Sequence, residues 1–186
     1  MVRRRWMRWG AVGAAAAVAL TGCVGEDEPA PSPSAAEPSP SLSNDELADT
    51  SLDAYQGFQD ELNAMYQAFD SDYTRLLPWS GPELATDAVA SMEQTHATGL
   101  NIDGAPAVVS AEVESNDGDA ASVIVCVDGS GVRVYDIESG VELEPSGDSP
   151  YSAWALAVVV EADGSVIVTS REARPDAGPS PCGSQP

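Results

Sequence analysis

Apolar residues in the first half of the folded part of the chain recur at gaps of three and four, the spacing of one face of an α-helix. The series is Leu52, Tyr55, Phe58, Leu62, Met65, Tyr66 and Phe69. The preceding Ser43-Asn44-Asp45-Glu46 has the form of a capping box, in which the Ser43 and Glu46 side chains satisfy each other's backbone N–H groups. The pattern predicts a long helix with one buried face.

A proline-containing segment from Leu76 to Pro82 interrupts the helical pattern. Proline suits the first turn of a helix, because the N–H that it lacks would have no intrahelical partner there. We therefore expect a second helix from about Pro82 to about Thr95. Gly99 marks the point at which the helical pattern stops.

The second half alternates apolar and polar residues, which is typical of half-buried β-strands. Five segments show this alternation: 105–114, 120–128, 132–137, 152–161 and 165–173. Turns rich in Gly, Asp and Asn separate them and supply the positive φ angles that tight hairpins need. The order predicts a single α+β domain over residues 44–182, in which N-terminal helices pack on a curved antiparallel sheet of about five strands.

The N-terminus has the organisation of a cleaved export signal. Four arginines precede an apolar run of about a dozen residues, whereas a bilayer-spanning helix needs about 20. The run ends in Leu20-Thr21-Gly22-Cys23, which resembles the bacterial lipobox at all four positions. We predict a signal peptide over residues 1–22, with a diacylglyceryl group on Cys23 as the first mature residue. The alternative is a plain secretory signal with an incidental cysteine.

This lipid would anchor the protein at the outer face of the cytoplasmic membrane. Residues 23–43 are rich in Pro, Ser, Ala and acidic residues and contain almost nothing that could form a core. We interpret them as a tether that would reach about 60 Å if it were fully extended at roughly 3.1 Å per residue. Residues 183–186 are expected to form a disordered tail.

Two cysteines remain after lipidation, in an exterior where disulfides persist. Cys126 lies in the strand-like segment 120–128 and Cys182 near the C-terminus. We predict a disulfide between them that staples the chain end to the sheet and stabilises the fold by about 4 kcal/mol. The alternative is a buried free thiol and a loose thiol in the tail. The chain has no Cys-x-x-Cys motif and a single histidine, so neither cysteine is expected to bind zinc.

The chain is strongly acidic, with 30 acids, 8 cations and a formal net charge of −22. Four arginines would leave with the signal, and the chain has no lysine, so the mature net charge would be about −26. Nucleic acid is excluded as a partner, because its binding depends on Lys and Arg that neutralise phosphates. Solubility explains most of the acids. No calcium site is predicted, because the twelfth residue counted from Asp128 is Ser139 rather than the glutamate of an EF-hand.

Several motifs carry a family resemblance, in this order: Ala54-Tyr55-Gln56-Gly57-Phe58, Thr98-Gly99, Val125-Cys126-Val127-Asp128, Ser130-Gly131-Val132 and a last strand that runs to a C-terminal cysteine. In these motifs the chain resembles actinobacterial secreted lipoproteins of the nuclear-transport-factor-2-like superfamily, which have a cone-shaped fold of helices and a curved sheet. Such proteins often have Gly-x-Trp in the last hairpin, where this chain has Gly164-Ser165-Val166.

The resemblance leaves function open, because the superfamily includes isomerases, dehydratases, transport factors and immunity proteins. Enzymes of this fold use Asp, His or Tyr inside the cone. His96 is the single histidine, and it lies near the end of the second predicted helix, where the helix dipole favours an imidazolium. No recognisable nucleophile motif or phosphate-binding loop is present, and no catalytic residue and no cofactor are predicted.

We therefore expect a non-enzymatic domain that binds a small apolar or amphiphilic molecule, or that contacts another protein of the cell envelope. The candidate pocket residues are Tyr73, Trp79, His96 and Trp154, with Tyr151 at the rim; the alternative for the aromatic residues is ordinary core packing. The competing hypothesis is a hydrolyase- or isomerase-like enzyme that uses His96 and a buried carboxylate. The sequence leaves open whether the domain forms a homodimer through the open face of its sheet.

Overall fold

The computed structural model describes residues 42–144 and 149–175 together with Cys182. The predicted signal peptide, the lipidation residue Cys23, the tether up to residue 41 and the tail 183–186 lie outside the described residues. Within the described ranges, no helix is long and apolar enough to cross a bilayer.

The first helix, α1 (Asn44–Ala68), begins where the capping box predicts. The Ser43 hydroxyl oxygen accepts a hydrogen bond from the Glu46 backbone N–H, and the Glu46 carboxylate accepts one from the Ser43 N–H. The Ser43 hydroxyl also donates to that carboxylate, and mainly for this reason the pKa of Glu46 lies below its usual value. These bonds satisfy backbone donors that have no partner inside the helix.

The buried face of α1 follows the predicted spacing, with one exception. Tyr55, Phe58 and Met65 have no exposed surface. Phe69 was expected on the same face but is 55% exposed, because the helix has already ended. Phe69 is the C-terminal cap in the left-handed conformation (φ 53°), and the Asp70 N–H after it donates to the Met65 carbonyl.

A short 3-10 helix (Tyr73–Leu76) leads to α2 (Pro82–Ala97), which begins at the predicted proline. Arg75 in the short helix contacts Glu61 at 2.6 Å and Asp70 at 2.7 Å. The pKa of the Asp70 carboxyl is lowered, chiefly by its hydrogen bond from Arg75, and the pKa of Arg75 is raised. This pair of contacts joins the connection between the helices to α1.

The described residues contain seven strands rather than the five predicted. They are β1 (Leu100–Asp103), β2 (Ala107–Asn116), β3 (Ala120–Asp128), β4 (Arg133–Asp136), β5 (Glu142–Leu143), β6 (Tyr151–Val160) and β7 (Val166–Ala173). The five predicted segments correspond to β2, β3, β4, β6 and β7 within two residues at each end. The prediction missed β1 and β5, which are four and two residues long.

These strands form two antiparallel sheets instead of one. The larger has the order β2-β3-β6-β7, and the smaller has the order β1-β4-β5. Val123 and Val125 of β3 and Leu156 of β6 are almost fully buried in one cluster with the apolar faces of α1 and α2. Each such side chain stabilises the fold by roughly 1.5–3 kcal/mol relative to an exposed one. The chain therefore has the α+β layout that the sequence predicts.

Two glutamines of α1 join the helix to the strands. The Gln56 side-chain oxygen accepts a hydrogen bond from the Val108 N–H at 2.7 Å, and its amide nitrogen donates to the Pro106 carbonyl at 3.3 Å. Three turns further along, the Gln67 amide nitrogen donates to the Ile102 carbonyl at 2.6 Å. Between these two contacts, α1 faces the connection from β1 to β2.

The structure brings Cys126 and Cys182 together as a disulfide-capable pair. Their Cα atoms lie 5.1 Å apart across a sequence separation of 56 residues, which is within the usual range for a disulfide. Cys126 is fully buried in β3, the strand between β2 and β6. A bond between the two cysteines connects the chain end to the middle of the larger sheet.

Candidate functional site

A cleft of about 210 Å³ lies between α1 and the strands. We call it the α1 cleft, and its lining residues are Gln59, Leu62, Asn63, Tyr66, Ile102, Gly104, Pro106, Val132 and Arg171. The four residues from α1 span two turns of a single face of the helix, between the contacts of Gln56 and Gln67. The walls are mainly apolar, with a few polar groups among them.

Two polar side chains of α1 face the cleft without protein partners. Gln59 is 8% exposed and makes no side-chain hydrogen bond to another described residue. The Oδ1 atom of Asn63, four residues later, is buried and has no hydrogen-bond partner in the described part of the chain. An unpaired buried polar atom costs about 1–3 kcal/mol, so native proteins usually satisfy such atoms. Both side chains are available to a ligand in the cleft.

Arg171 of β7 supplies the charged group of the cleft. Its guanidinium carbon lies 5.6 Å from the centroid of the Phe58 ring and 5.3 Å from that of Trp154, both cation–π distances. One of its terminal nitrogens donates to the Tyr55 hydroxyl at 3.3 Å. Within the described ranges no carboxylate forms an ion pair with Arg171, whereas Arg75 forms two and Arg133 and Arg174 form one each.

Gly104 forms part of the cleft rim through a close approach of two backbone segments. Its φ is +87°, a conformation that favours glycine. A Cβ atom at this position would collide with the Gly131 carbonyl oxygen. The loop between β1 and β2 can therefore approach the loop before β4 closely at this point.

The structure places Tyr73 and Trp79 away from the α1 cleft. Tyr73 is 42% exposed in the 3-10 helix. Trp79 lies over α1 at Gly57, where a Cβ atom would come within 2.6 Å of the indole Cε3. Neither residue is among the cleft-lining side chains.

His96 lies beside the cleft wall but does not line the cleft. Its ring contacts Tyr66 edge-on at 5.4 Å between centroids and Phe69 at 4.5 Å. Its Nε2 lies 3.1 Å from the side-chain oxygen of Asn101. His96 is thus a half-buried residue at the end of α2, with an amide rather than a carboxylate as its hydrogen-bonding partner.

Trp154 contributes to the cleft indirectly. It contacts Arg171 on one side of β6 and donates from Nε1 to the Ser152 hydroxyl at 3.1 Å. It also lines a second cavity of about 320 Å³, together with Tyr151 and Cys182. The four predicted pocket residues therefore do not share one cavity.

The sequence reasoning missed the residues that do line the α1 cleft. A usable signal existed for Gln59, a polar residue that lies between Phe58 and Leu62 in the apolar series of α1. Arg171 was one of only four cations in the part of the chain after Cys23. Among the described residues, no group of three or more His, Cys, Asp or Glu side chains comes together to hold a metal ion.

No protein-family model and no curated protein matches the chain. Among solved structures, the intermembrane-space region of the chloroplast protein ARC6 is 15% identical, with a TM-score of 0.48, and the match covers 72% of this chain and 98% of that one. An NTF2-like protein involved in plasmid conjugation is 14% identical, with a TM-score of 0.41, and the match covers 70% of this chain and 48% of that one. Both scores are low, so the fold class rests on the elements of this chain itself.

Proposed function

We propose that this chain is a membrane-anchored extracytoplasmic lipoprotein with a nuclear-transport-factor-2-like domain, which binds a small amphiphilic molecule in the α1 cleft and catalyses no reaction. The observation that carries the proposal is a mainly apolar cleft with polar side chains that no described protein group satisfies. Sites for small molecules usually combine an apolar lining with a few polar groups that orient the ligand.

The unpaired Oδ1 atom of Asn63 supports ligand binding energetically. Its burial without a partner costs about 1–3 kcal/mol, and a donor on a ligand would remove that cost. The cleft volume of about 210 Å³ is below the 300–1,000 Å³ or so that is typical for drug-sized ligands. The ligand is therefore small.

The competing enzyme hypothesis lacks the geometry that it requires. A histidine base needs an orienting partner and a substrate within hydrogen-bonding reach. His96 has the Asn101 amide as its partner and does not line the α1 cleft. In the described ranges, no aspartate or glutamate is buried to serve as the second catalytic group.

A role in contacting another envelope protein is the second candidate function. Exposed apolar side chains at the edge of the smaller sheet favour it, namely Ile137 (43% exposed), Val141 (56%) and Leu143 (40%). Such side chains are common in protein contacts, although single exposed apolar residues also occur on ordinary surfaces.

Mass spectrometry of the protein purified from its own membranes tests ligand binding. We expect a stoichiometric small-molecule adduct under native conditions that disappears on denaturation. The cleft-filling substitution Val132→Phe should abolish the adduct, whereas Val134→Phe, the same change two residues away and outside the cleft lining, should retain it. A bare wild-type chain would contradict ligand binding and favour the second candidate.

Membrane anchoring depends on Cys23 and has its own test. Replacement of Cys23 by alanine removes the thiol that would receive the lipid, so the protein should move from the membrane fraction to the soluble extracytoplasmic fraction. Ser34→Ala provides the control, since it changes a residue of the tether but leaves both the lipobox and the disulfide-forming cysteines intact. A Cys23→Ala variant that stays in the membrane fraction would contradict the lipoprotein assignment.

A further inference from the structure

Arg171 differs from the other arginines of the folded part of the chain in its partners. Arg75, Arg133 and Arg174 each lie within 3.4 Å of a carboxylate. Arg171 makes no such ion pair in the described residues, although the chain contains 30 acids and only 8 cations. Glu83 and Asp87 of α2 line a neighbouring cavity of about 180 Å³ together with Arg171, but neither is among the ion pairs that the described residues form.

Aromatic rings hold this arginine in position. Phe58 and Trp154 both lie within 6 Å of the guanidinium carbon, at 5.6 Å and 5.3 Å. Cation–π contacts stabilise the charge without using its N–H groups. A guanidinium has five N–H donors in a planar fork, and the Tyr55 hydroxyl accepts from one terminal nitrogen. Donors therefore remain for a ligand.

The same arginine lines the α1 cleft together with apolar side chains of α1 and β1. An ion pair is stronger in such surroundings than in water, because the effective dielectric constant is lower. A carboxylate matches the guanidinium fork with two parallel hydrogen bonds. The side-chain amides of Gln59 and Asn63 also line the cleft. They offer hydrogen-bonding groups to other polar atoms of the ligand.

The charge of the whole chain selects among anions. A net charge of −22 opposes the entry of any anion, and it opposes a doubly charged phosphate more strongly than a singly charged carboxylate. One arginine balances one negative charge. The cleft is thus better suited to a monocarboxylate than to a phosphate ester.

We propose that the α1 cleft is a binding site for a small monocarboxylic acid, with Arg171 as the residue that binds the carboxylate and the apolar wall of α1 and β1 as the surface that binds the body of the molecule. This inference rests on the proposed function, since it specifies the ligand class of the same cleft.

Benzoate and benzamide are the probes, because they share a compact apolar body and differ in the charge of the head group. Calorimetric titration of the intact protein at pH 7 should show benzoate binding at least about tenfold more tightly than benzamide, since a hydrogen bond to a charged group contributes about 1.5–3 kcal/mol. Equal affinities would overturn the proposal without any need for a variant. Tighter binding of phenylphosphonate than of benzoate would also overturn it.

Arg171→Gln removes the charge and retains a polar side chain. We expect a loss of about tenfold or more in benzoate affinity and little change for benzamide. Arg174→Gln is the matched control, because it makes the same change just after β7, where Arg174 pairs with Glu114 outside the cleft lining. Equal losses in both variants would contradict a direct role of Arg171.

The outcomes separate this inference from the proposed function. If the native protein carries a cleft-bound adduct that has no acidic group, and benzoate does not bind, the monocarboxylate assignment is wrong while ligand binding stands. If neither an adduct nor probe binding is found, both are wrong. If Arg171→Gln does not fold, the comparison of benzoate with benzamide on the wild-type protein still decides the question.

Discussion

At the scale of single residues, Gly57 shows how tertiary contact reverses a local preference. Glycine inside a helix is less stable than alanine by about 1 kcal/mol, so the middle of α1 is an unfavourable place for it. The Trp79 indole packs on the helix at this point, and a Cβ atom would lie 2.6 Å from Cε3 and 2.8 Å from Cδ2 of the ring. The glycine is required by its neighbour rather than by the helix.

Gly57→Ala should therefore destabilise the protein by about 1–3 kcal/mol, because the added methyl group displaces the indole. Urea unfolding of the variant and the wild type measures the change. In a Trp79→Ala background, where the ring is absent, the same substitution should stabilise by about 1 kcal/mol through its higher helix propensity. An identical effect in both backgrounds would show that the contact has no energetic role.

At the scale of the elements, β3 connects most of the domain. It pairs with β2 on one side and β6 on the other, and its valines belong to the core that α1 and α2 cover. Cys126 lies in this strand opposite Ala153 of β6. A bond to Cys182 thus connects the end of the chain to an interior strand of the larger sheet.

Loss of that bond should cost about 4 kcal/mol of unfolding free energy, because closing a loop of 56 residues restricts the unfolded chain. We expect Cys182→Ser, or reduction of the wild type, to lower the urea midpoint by a corresponding amount. Reduction should have no effect on Cys182→Ser, which is the control. A wild-type midpoint that does not respond to reduction would favour the alternative of two free thiols.

At the scale of the whole molecule, charge repulsion acts against the fold. The chain has a net charge of −22, and the described residues form four ion pairs. Most carboxylates of the described residues therefore have no cation in an ion pair with them. A large net charge destabilises the compact state through self-repulsion. Salt screens this long-range repulsion more strongly than it screens the four ion pairs, because the charges of each ion pair are in direct contact.

Raising NaCl from 10 mM to 150 mM at pH 7 should therefore raise the urea midpoint, since the Debye length falls from about 30 Å to about 8 Å. Replacement of the exposed acids Asp117 and Asp119 by asparagine should reduce the response, because both side chains lie in the same turn between β2 and β3. A midpoint that falls with salt would mean that the ion pairs outweigh the repulsion.

The sequence by itself determined the order of the two α-helices and of β2, β3, β4, β6 and β7, and the start of each helix. Capping, proline placement and apolar spacing are local, and Ser43, Pro82 and the alternation of β3 could therefore be recognised without knowledge of the fold. The same reasoning failed for Phe69, whose spacing fits the buried face of α1. Where a helix ends depends on the turn that follows it, and periodicity does not report that turn.

Only the tertiary structure decided the site and the division into two sheets. Arg171, Gln59 and Pro106 come from distant parts of the sequence, and no spacing rule brings them to one cleft. His96 and Trp79 have the chemistry of pocket residues, but their neighbours are Asn101 and Gly57. Strand partners and cavity walls are contacts between distant segments, so their positions follow from packing rather than from any local pattern.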